Sequence, residues 1–246
     1  MPGVSVTIIT RNESAHIRAA LDSVAWADER IVVDAQSTDD TVAIARGLAQ
    51  QVVVREWPGY GAQKNYAASL ASHDWILSLD ADERVTPALA TEIQQAVAHP
   101  AHAAFRIPRV TFHMGRWIRS TDWYPDHQLR LYDRRRGSWN DARVHEGVMV
   151  GGSIGELSGE IQHYPYRDLA DHLETINRYT TLAAAEMYAG GRRAGLAQMA
   201  VHPPAAFIRN YLLRGGIRDG APGLVVSAMN AYYVFLKFAK LRELGA

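Results

Sequence analysis

The first half of the chain alternates between short apolar runs and segments in which apolar residues recur every three or four positions. Val4–Thr10 and Arg30–Asp34 are nearly continuous β-branched runs, which is typical of strands covered on both faces of a sheet. Residues 14–24 between them carry apolar side chains on one face of a helix. The pattern therefore predicts strand, helix, strand.

The same alternation continues to about residue 100. Ser37 or Thr38 is placed to cap a second helix, and Thr86 followed by Pro87 is a typical helix start. The further predicted elements are a helix reaching Leu48, a strand over 52–54, a helix over 61–70, a strand over 75–79 and a helix ending near Pro100. Strands that alternate with helices favour an α/β fold with a doubly wound, mostly parallel sheet, whose ligands bind beyond the carboxyl ends of the strands.

The second half has a different pattern. Short apolar runs among glycines and aromatic residues indicate β hairpins and loops, and helical spacing returns over 169–188. The run 222–236 is apolar but shorter than the roughly 20 residues of a membrane-spanning helix. We therefore divide the chain into an α/β domain over 1–165, with halves 1–100 and 101–165, and a C-terminal helical tail over 166–246.

Composition narrows the possible functions. The chain has 246 residues and no cysteine, which excludes a disulfide scaffold and metal sites built on thiolates. Its 26 Lys and Arg balance 26 Asp and Glu, which argues against a nucleic-acid partner. The N-terminal segment lacks the basic and apolar regions of a secretory signal, so we expect a cytoplasmic protein.

An acidic segment, Asp80-Ala81-Asp82-Glu83, directly follows the apolar strand 75–79. A carboxylate at the end of a buried strand is costly unless a cation or hydrogen-bond donors compensate it. Carboxylate oxygens favour Mg²⁺ or Mn²⁺, and such ions commonly join protein carboxylates to substrate phosphates. The alternative is that Asp82 and Glu83 stabilise the helix that begins after Thr86 through its dipole.

Two more acids lie at strand ends. Asp34 ends the second strand, and Glu13 follows the first in the segment Thr10-Arg11-Asn12-Glu13. The glycine-rich turn of dinucleotide-binding folds and the lysine of a P-loop are both missing, so a diphosphate would be held by a metal and side chains. For Glu13, capping of the first helix is the alternative.

Three segments lie at successive strand ends: Thr10–Glu13, Val32–Thr41 and Leu79–Glu83. In this order they resemble the motifs of family 2 glycosyltransferases of the GT-A fold. Two further segments, Gly59–Ala67 and Asp126–Tyr132, are similar to the branch that contains lipopolysaccharide-core β-glucosyltransferases.

The resemblance implies a nucleotide-sugar site in residues 1–100. Glu13 and Asp34 would hold the ribose and uracil of a UDP-sugar, while Lys64 and Asn65 would close over the nucleotide or diphosphate. Thr10 and Asn12 belong to the same predicted site. Asp82 would coordinate Mg²⁺ or Mn²⁺, with Asp80 steadying the ion or contacting the donor, and the cation would stabilise the charge that develops on the departing UDP.

An inverting transfer also needs a general base for the acceptor hydroxyl. We assign Glu146 to this role and His145 as its orienter or as a second candidate, and place both in an acceptor-binding half over 101–165. An exposed strand residue is the alternative for Glu146. Processive synthesis is not expected, because the Gln128-Leu129-Arg130 segment is not followed by tryptophan in the register of the Q-x-x-R-W signature.

Other side chains are also candidates for the site, and some of them have an ordinary structural role as the alternative. His163 is a possible further metal ligand, although a lone histidine is often structural. Arg130 would neutralise the diphosphate. Four aromatic residues could stack on acceptor sugars or pack in the core: Trp117, Trp123, Tyr124 and Trp139.

The tail combines apolar residues with a basic fringe. The run 222–236 is followed by Lys237 and Lys240, a combination that suits a helix lying in the plane of a membrane. Packing on the rest of the protein is the alternative.

These observations together predict an inverting, metal-dependent transferase that moves a sugar, expected to be glucose, from a UDP-sugar to a lipid-linked saccharide such as the lipopolysaccharide inner core. We expect it to lie peripherally on the cytoplasmic face of the inner membrane. Transfer to polyprenyl phosphate and a non-catalytic nucleotide-sugar-binding module are the alternatives.

Overall fold

The computed structural model describes residues 2–140 and 147–245. The chain forms two compact units. The first comprises Met1–Arg109 and His127–His163, and the second comprises Val110–Asp126 and Tyr164–Ala246. Residues 110–126, which the sequence division placed in the α/β domain, therefore group with the C-terminal helices.

The elements follow the predicted alternation in the first half and a mixed pattern afterwards. The strands are β1 Val4–Thr10, β2 Glu29–Asp34, β3 Gln51–Val54, β4 Trp75–Asp80, β5 Glu83–Val85, β6 Ala104–His113, β7 Arg116–Ile118, β8 Asp126–Asp133, β9 Gly137–Trp139, β10 Val148–Val150, β11 Ile154–Glu156 and β12 Ile161–His163. The helices are α1 Ile17–Ser23, α2 Thr41–Arg46, α3 Tyr60–Ser69, α4 Pro87–Ala98, α5 Leu169–Ala189, α6 Leu196–Ile208 and α7 Gly220–Leu244.

The main sheet is parallel on one side and mixed beyond β4. Its order is β3-β2-β1-β4-β8-β6-β12-β5. β1 pairs in parallel with β2 and β4, and β2 pairs in parallel with β3, whereas β8 runs antiparallel to β4. β2 and β3 are added on one side of β1 and β4 on the other, so the strand order reverses between β1 and β4. This is the position where open α/β sheets bind ligands. The predicted doubly wound sheet with a C-terminal helical tail is confirmed.

Burial explains why the strands of the first half could be recognised. All seven residues of β1 are buried, and the core packs β1 and β4 against α1 and α4 through residues such as Ile8, Leu21 and Ile93. The predicted cap of α4 is present, because the Thr86 hydroxyl accepts a hydrogen bond from the Leu89 amide at 3.3 Å.

The prediction for the start of α2 was wrong. Ser37 and Thr38 do not cap this helix, which begins at Thr41 after Asp40. Ser37 instead donates its hydroxyl to Asp34, and the Thr41 amide donates to Asp39 at 3.0 Å. Competing side-chain hydrogen bonds in this loop therefore delay the first helical turn.

The second unit is mainly helical. α7 packs against α5 and α6, and a π-helical turn over Arg209–Leu213 follows α6. In the part of the chain that the structure describes, one helical stretch, Gly216–Leu244, has the length and apolar composition needed to cross a bilayer.

Candidate active site

The strand ends bring three predicted site residues to one edge of the sheet. Thr10 is the register partner of Asp34, and Asp80 is the partner of Ile9 on the other side of β1. Neighbouring strands lie about 4.8 Å apart, so Asp34 and Asp80 are separated by about 10 Å across β1. The acids therefore share one rim, as the motif spacing predicts.

Two loops at this rim are joined by hydrogen bonds. The backbone amides of Asn12 and Glu13 donate to the hydroxyls of Ser37 and Thr41, both at 2.8 Å. In return, the Asn12 side-chain oxygen accepts from the Thr38 amide at 2.8 Å. Asn12 has a φ of 54°, a left-handed conformation that asparagine tolerates better than most residues. The predicted ligand-binding residue Asn12 thus also holds the loops after β1 and β2 together.

Asp34 is fully buried at the end of β2. Its carboxylate accepts from the Ser37 amide at 2.7 Å and from the Ser37 hydroxyl. These bonds compensate the buried charge. Its assignment to the ribose and uracil stays a prediction, as does that of Glu13, whose carbonyl accepts from the Ile17 amide at 2.9 Å at the start of α1.

The first acid of the Asp80–Glu83 segment is neutralised by two cations. Asp80 lies 3.1 Å from Lys64 Nζ and 2.5 Å from Arg130 Nη2. Burial alone would raise the pKa of Asp80, but the charges of Arg130 and Lys64 outweigh it and hold that pKa well below its usual range. The carboxylate therefore stays ionised inside a compensated network.

Glu83 is the residue of this network that the sequence analysis did not assign to a site. It is fully buried, and its Oε1 accepts from Arg109 at 2.8 Å and from Arg130 at 2.7 Å. Its Oε2 accepts from the Asp80 backbone amide at 3.0 Å. Glu83 thereby fixes the turn between β4 and β5, and the predicted contribution to the dipole of α4 is not its main interaction.

Arg130 reaches the network because β8 runs antiparallel beside β4, with Leu131 opposite Leu77. Its guanidinium is bonded to both Asp80 and Glu83, and the two carboxylates raise the pKa of Arg130 against the effect of burial. Its assigned contact with the diphosphate stays a prediction.

The second acid of the segment, Asp82, has a different partner. His163 Nε2 lies 3.3 Å from Asp82 Oδ2. The contact arises because β12 pairs with β5 and sets His163 opposite Glu83. Burial would raise the pKa of Asp82, but the hydrogen bond and charge of His163 lower it. The structure therefore brings together two of the three residues assigned to the metal, Asp82 and His163, from distant parts of the sequence.

A second histidine, His16, interacts electrostatically with Asp82 and His163 and was not singled out from the sequence. Burial lowers the pKa of His16, with Asp82 acting in the opposite direction and His163 in the same direction. The local signal for it, a single histidine just before α1, is too weak to find from sequence. Together the three side chains offer carboxylate and imidazole atoms at the rim.

Asn65 forms a closed contact with β9. Its side-chain amide donates to the Trp139 carbonyl at 2.8 Å and accepts from the Trp139 amide at 2.9 Å. Lys64 Nζ lies 4.3 Å from the centre of the Trp139 ring. Because both polar atoms of the Asn65 side chain bond to the Trp139 backbone, the geometry favours a structural role over the predicted nucleotide contact.

Among the residues that the structure describes, several buried polar atoms at this end of the unit have no hydrogen-bond partner. They include the Thr10 hydroxyl, Arg130 Nε and both amide atoms of Gln63, which precedes Lys64 on α3. Buried polar atoms are usually satisfied, so unsatisfied ones are suited to a ligand or water. Gln63 lies within the Gly59–Ala67 motif, but the motif alone did not indicate a role for it.

The residues assigned to general-base catalysis, Glu146 and His145, lie outside the described part of the chain. The residues that flank them are joined: the Asn140 amide donates to the Gly147 carbonyl at 3.0 Å, and the Gly147 amide donates to the Asn140 side chain at 3.2 Å. On the N-terminal side, Asn65 also fixes the end of β9 through its hydrogen bonds to the Trp139 backbone.

The aromatic candidates have separate surroundings. Trp139 is buried in the core of the first unit, which matches the alternative of core packing. Trp117 contacts Phe112 and Tyr164, and Trp123 contacts the rings of His113, Tyr166 and His172. Tyr124 lies beside Arg119. Stacking of Trp117, Trp123 and Tyr124 on acceptor sugars stays a prediction.

Comparison with known proteins gives a consistent result. The sequence model of the family described as glycosyl transferase family 2 matches residues 5–151 of this chain. An uncharacterized glycosyltransferase of Rickettsia typhi is 33% identical over 259 residues, covering 100% of this chain and 88% of that protein. The lipopolysaccharide core biosynthesis glycosyltransferase LpsC of Rhizobium meliloti is 28% identical over 248 residues, covering 98% of this chain and 92% of LpsC.

The fold is also similar to that of a solved enzyme. The mannosyltransferase PcManGT from Pyrobaculum calidifontis, solved in complex with GDP-Man and Mn²⁺, has a TM-score of 0.58 and 19% identity, over 98% of this chain and 87% of that chain. The family resemblance predicted from the motifs is confirmed. The chain belongs to glycosyl transferase family 2, has the GT-A fold and is a glycosyltransferase.

Proposed function

We propose that this enzyme is an inverting, metal-dependent transferase that moves a sugar from a UDP-sugar, with glucose as the expected sugar, to a lipid-linked saccharide such as the lipopolysaccharide inner core. The observation that carries the proposal is the unequal environment of the two aspartates. Lys64 and Arg130 neutralise Asp80, whereas Asp82 pairs with His163. In the described residues, no lysine or arginine makes a salt bridge with Asp82.

The residues present fit a hard or borderline divalent cation. Asp82 and His163 offer one carboxylate and one imidazole, and His16 lies close by. Within residues 2–140 and 147–245 there is no group of three or more acidic or histidine side chains arranged to hold a metal by themselves. Mg²⁺ and Mn²⁺ sites often complete their coordination with substrate phosphates and water, so this open set suits an ion that binds together with a nucleotide diphosphate. When bound, the cation would supply Lewis-acid stabilisation of the leaving UDP.

The protein side chains have distinct roles in this proposal. Asp80, whose charge is compensated, holds Lys64 and Arg130 in position at this edge of the sheet. The unsatisfied Thr10 and Gln63 atoms offer hydrogen bonds to the donor. Glu146, assisted by His145, removes the proton of the acceptor hydroxyl as that oxygen attacks the anomeric carbon from the side opposite UDP.

The assignments of the donor and of the acceptor are supported by different observations. The UDP assignment comes from the motif resemblance, and the GDP-Man bound by PcManGT makes a guanine nucleotide the competing donor. The acceptor assignment is supported by the similarity over nearly the full chain to LpsC, a lipopolysaccharide core enzyme. Transfer to polyprenyl phosphate remains the alternative product, and a non-catalytic binding module is the alternative class of protein.

A transfer and hydrolysis assay with Asp82→Asn tests the proposal. The substitution preserves shape and removes the charge that would hold the cation, so we expect turnover of the UDP-sugar to fall by about 100-fold or more. The matched control is Asp74→Asn, which lies before β4 at its other end and pairs with Arg135. It should retain nearly full activity.

The same assay has informative failures. Equal activity of Asp82→Asn and wild type would refute the metal role of Asp82. Absence of turnover in the wild type with every acceptor and donor offered would favour the binding module. Melting temperatures measured with UDP or GDP, with and without Mn²⁺, would identify the nucleotide, because a ligand that binds the native state stabilises it.

A lipid-linked acceptor would also require access to a membrane. We therefore propose that the enzyme lies on the cytoplasmic face of the inner membrane as a peripheral protein. The exposed apolar residues of the helical unit support this location.

A further inference from the structure

The outer face of α6 is apolar where the surface helix of a water-soluble protein is normally polar. None of its residues is fully buried, and its exposed positions recur at helical spacing on one side. These positions are Leu196, Ala197, Ala200, Val201, Pro204, Ala205 and Ile208. The face continues past the helix through Leu212 and Leu213, of which Leu213 is 79% exposed.

The opposite side of α6 contacts α7. Met199 packs against the small core of Phe238 and Leu241, and the His202 ring lies 5.0 Å from that of Phe238. The helix is therefore held on α7 by one side, and the exposed side is not needed for this packing. We name that exposed side, from Leu196 to Leu213, the α6 ridge.

The charged side chains of the sequence segment that forms the α6 ridge are all basic. The sequence contains no aspartate or glutamate between Glu186 and Asp219, and arginines flank the ridge on both sides. These arginines are Arg192, Arg193, Arg209, Arg214 and Arg218. Asp122 pairs with Arg209 at 2.6 Å and with Arg214 at 3.1 Å, which orients these two side chains and offsets part of their charge.

We propose that the α6 ridge inserts into the interfacial region of a bilayer that contains anionic lipids. An exposed apolar stripe with cationic flanks is the arrangement that binds in the plane of such a surface. The charge pattern favours lipid over a second copy of the chain, because two copies meeting through this face would bring like charges together. The inference deepens the proposed function, since a lipid-linked acceptor gives this surface its use.

The structure favours α6 over α7 as the inserting helix. Lys240 on α7, which the sequence suggested for lipid headgroups, instead donates to the Asn177 carbonyl at 2.7 Å and to the hydroxyls of Thr180 and Thr181. Gly223 on α7 packs so closely that an added Cβ would lie 1.9 Å from the Gly216 carbonyl oxygen. These contacts hold one side of α7 within the second unit, while Leu224, Tyr232 and Phe235 stay exposed.

Single-cysteine labelling tests the proposal directly, because the chain has no cysteine of its own. An environment-sensitive fluorophore is attached to Val201→Cys on the α6 ridge, to Phe235→Cys on α7 or to Met149→Cys on β10, all of which are exposed positions. With vesicles of phosphatidylcholine and phosphatidylglycerol, we expect a blue shift at position 201 and none at 235 or 149. A shift at 235 without one at 201, or no shift at any position, would overturn the proposal.

Vesicle flotation of the full chain provides the quantitative test. The variant Val201→Gln/Ile208→Gln/Leu212→Gln should lower partitioning by about 100-fold, since burial of each large apolar side chain contributes to binding. The matched control, Leu173→Gln/Tyr179→Gln/Leu182→Gln, changes three exposed residues of α5, a helix that also carries Asp171, Glu174 and Glu186. It should partition like the wild type. Equal losses in both variants would contradict the inference.

Salt and lipid composition separate the two contributions. Raising the ionic strength from about 0.1 M to about 1 M shortens the Debye length from about 10 Å to 3 Å, so binding should weaken but persist, and phosphatidylcholine alone should bind less. A wild type that dimerises through the ridge and ignores vesicles would refute the proposal. Flotation uses neither donor nor acceptor, so vesicle binding by an enzyme inactive on UDP-sugars would refute only the proposed function.

Discussion

At the scale of single residues, two aspartates separated by a single residue have different electrostatic partners. Asp80 faces Lys64 and Arg130, and Asp82 faces His163. The sequence identified both acids because they follow a buried strand, but it could not identify the partners. Lys64 and Arg130 come from α3 and from an antiparallel strand, and no local pattern fixes which of their atoms meet.

The buried network should be sensitive to loss of its central cation. Arg130→Met leaves Asp80 and Glu83 with less compensation in a buried site, and we expect it to reduce the free energy of unfolding by about 3 kcal/mol. Urea denaturation measures this change. The control is Arg135→Met, which removes an exposed partner of Asp133 and should have a much smaller effect. Similar losses in both variants would show that Arg130 is not the centre of the network.

His172 makes a second residue-scale prediction. It is buried in the second unit against the rings of His113, Trp123 and Tyr166. Burial, assisted by the charge of His113 and opposed by Asp171, lowers the pKa of His172 to about 4. Between pH 6.5 and pH 4 the unfolded chain therefore binds more protons at this site than the folded one, so stability should fall as pH falls, by at most about 3 kcal/mol from this group.

Denaturation at several pH values checks the effect. His172→Gln should flatten the dependence between pH 6.5 and pH 4, whatever its effect on absolute stability. His127→Gln, at an exposed position, should leave the slope unchanged. An unchanged slope in His172→Gln would contradict the assignment.

At the scale of elements, two short strands and the contact between Asn65 on α3 and Trp139 on β9 complete the site. β5 and β12 have three residues each, too few for a period to be visible in the sequence, yet their pairing carries His163 to Asp82. α6 was also not distinguished as a separate helix within the predicted helical tail, because it contains Pro203 and Pro204 and lacks a polar exposed face. Hydrophobic periodicity identifies elements that have one solvent-exposed and one buried side, or that form long apolar runs. It does not identify three-residue strands or a helix with an apolar exposed face.

The contact between α3 and β9 gives the prediction at this scale. Asn65→Ala removes two hydrogen bonds to the Trp139 backbone, and we expect a loss of about 1–3 kcal/mol in the free energy of unfolding. UDP affinity, measured by calorimetry at a temperature where the variant is folded, should change little. Full stability together with a large loss of UDP affinity would instead favour the nucleotide contact that the sequence suggested.

At the scale of the whole molecule, the sequence predicted the fold class and family but not the extent of each unit. The parallel half was predictable because its strands are covered on both faces. The grouping of residues 110–126 with the C-terminal helices was not, because it depends on distant contacts such as the hydrogen bonds from Arg119 and Ser120 to Asp219. Those residues are about 100 positions apart, beyond any local signal.

The α6 ridge has a consequence for how the enzyme would find its acceptor. A protein held against a bilayer searches in two dimensions, where the effective concentration of a lipid-anchored substrate is high. Recognition of the saccharide itself can then be weak, and water-soluble fragments of the acceptor should show a high KM even when their chemistry is correct. Acceptor screens with soluble oligosaccharides would therefore understate the activity of the enzyme, and the same saccharides displayed on vesicles are the appropriate substrates.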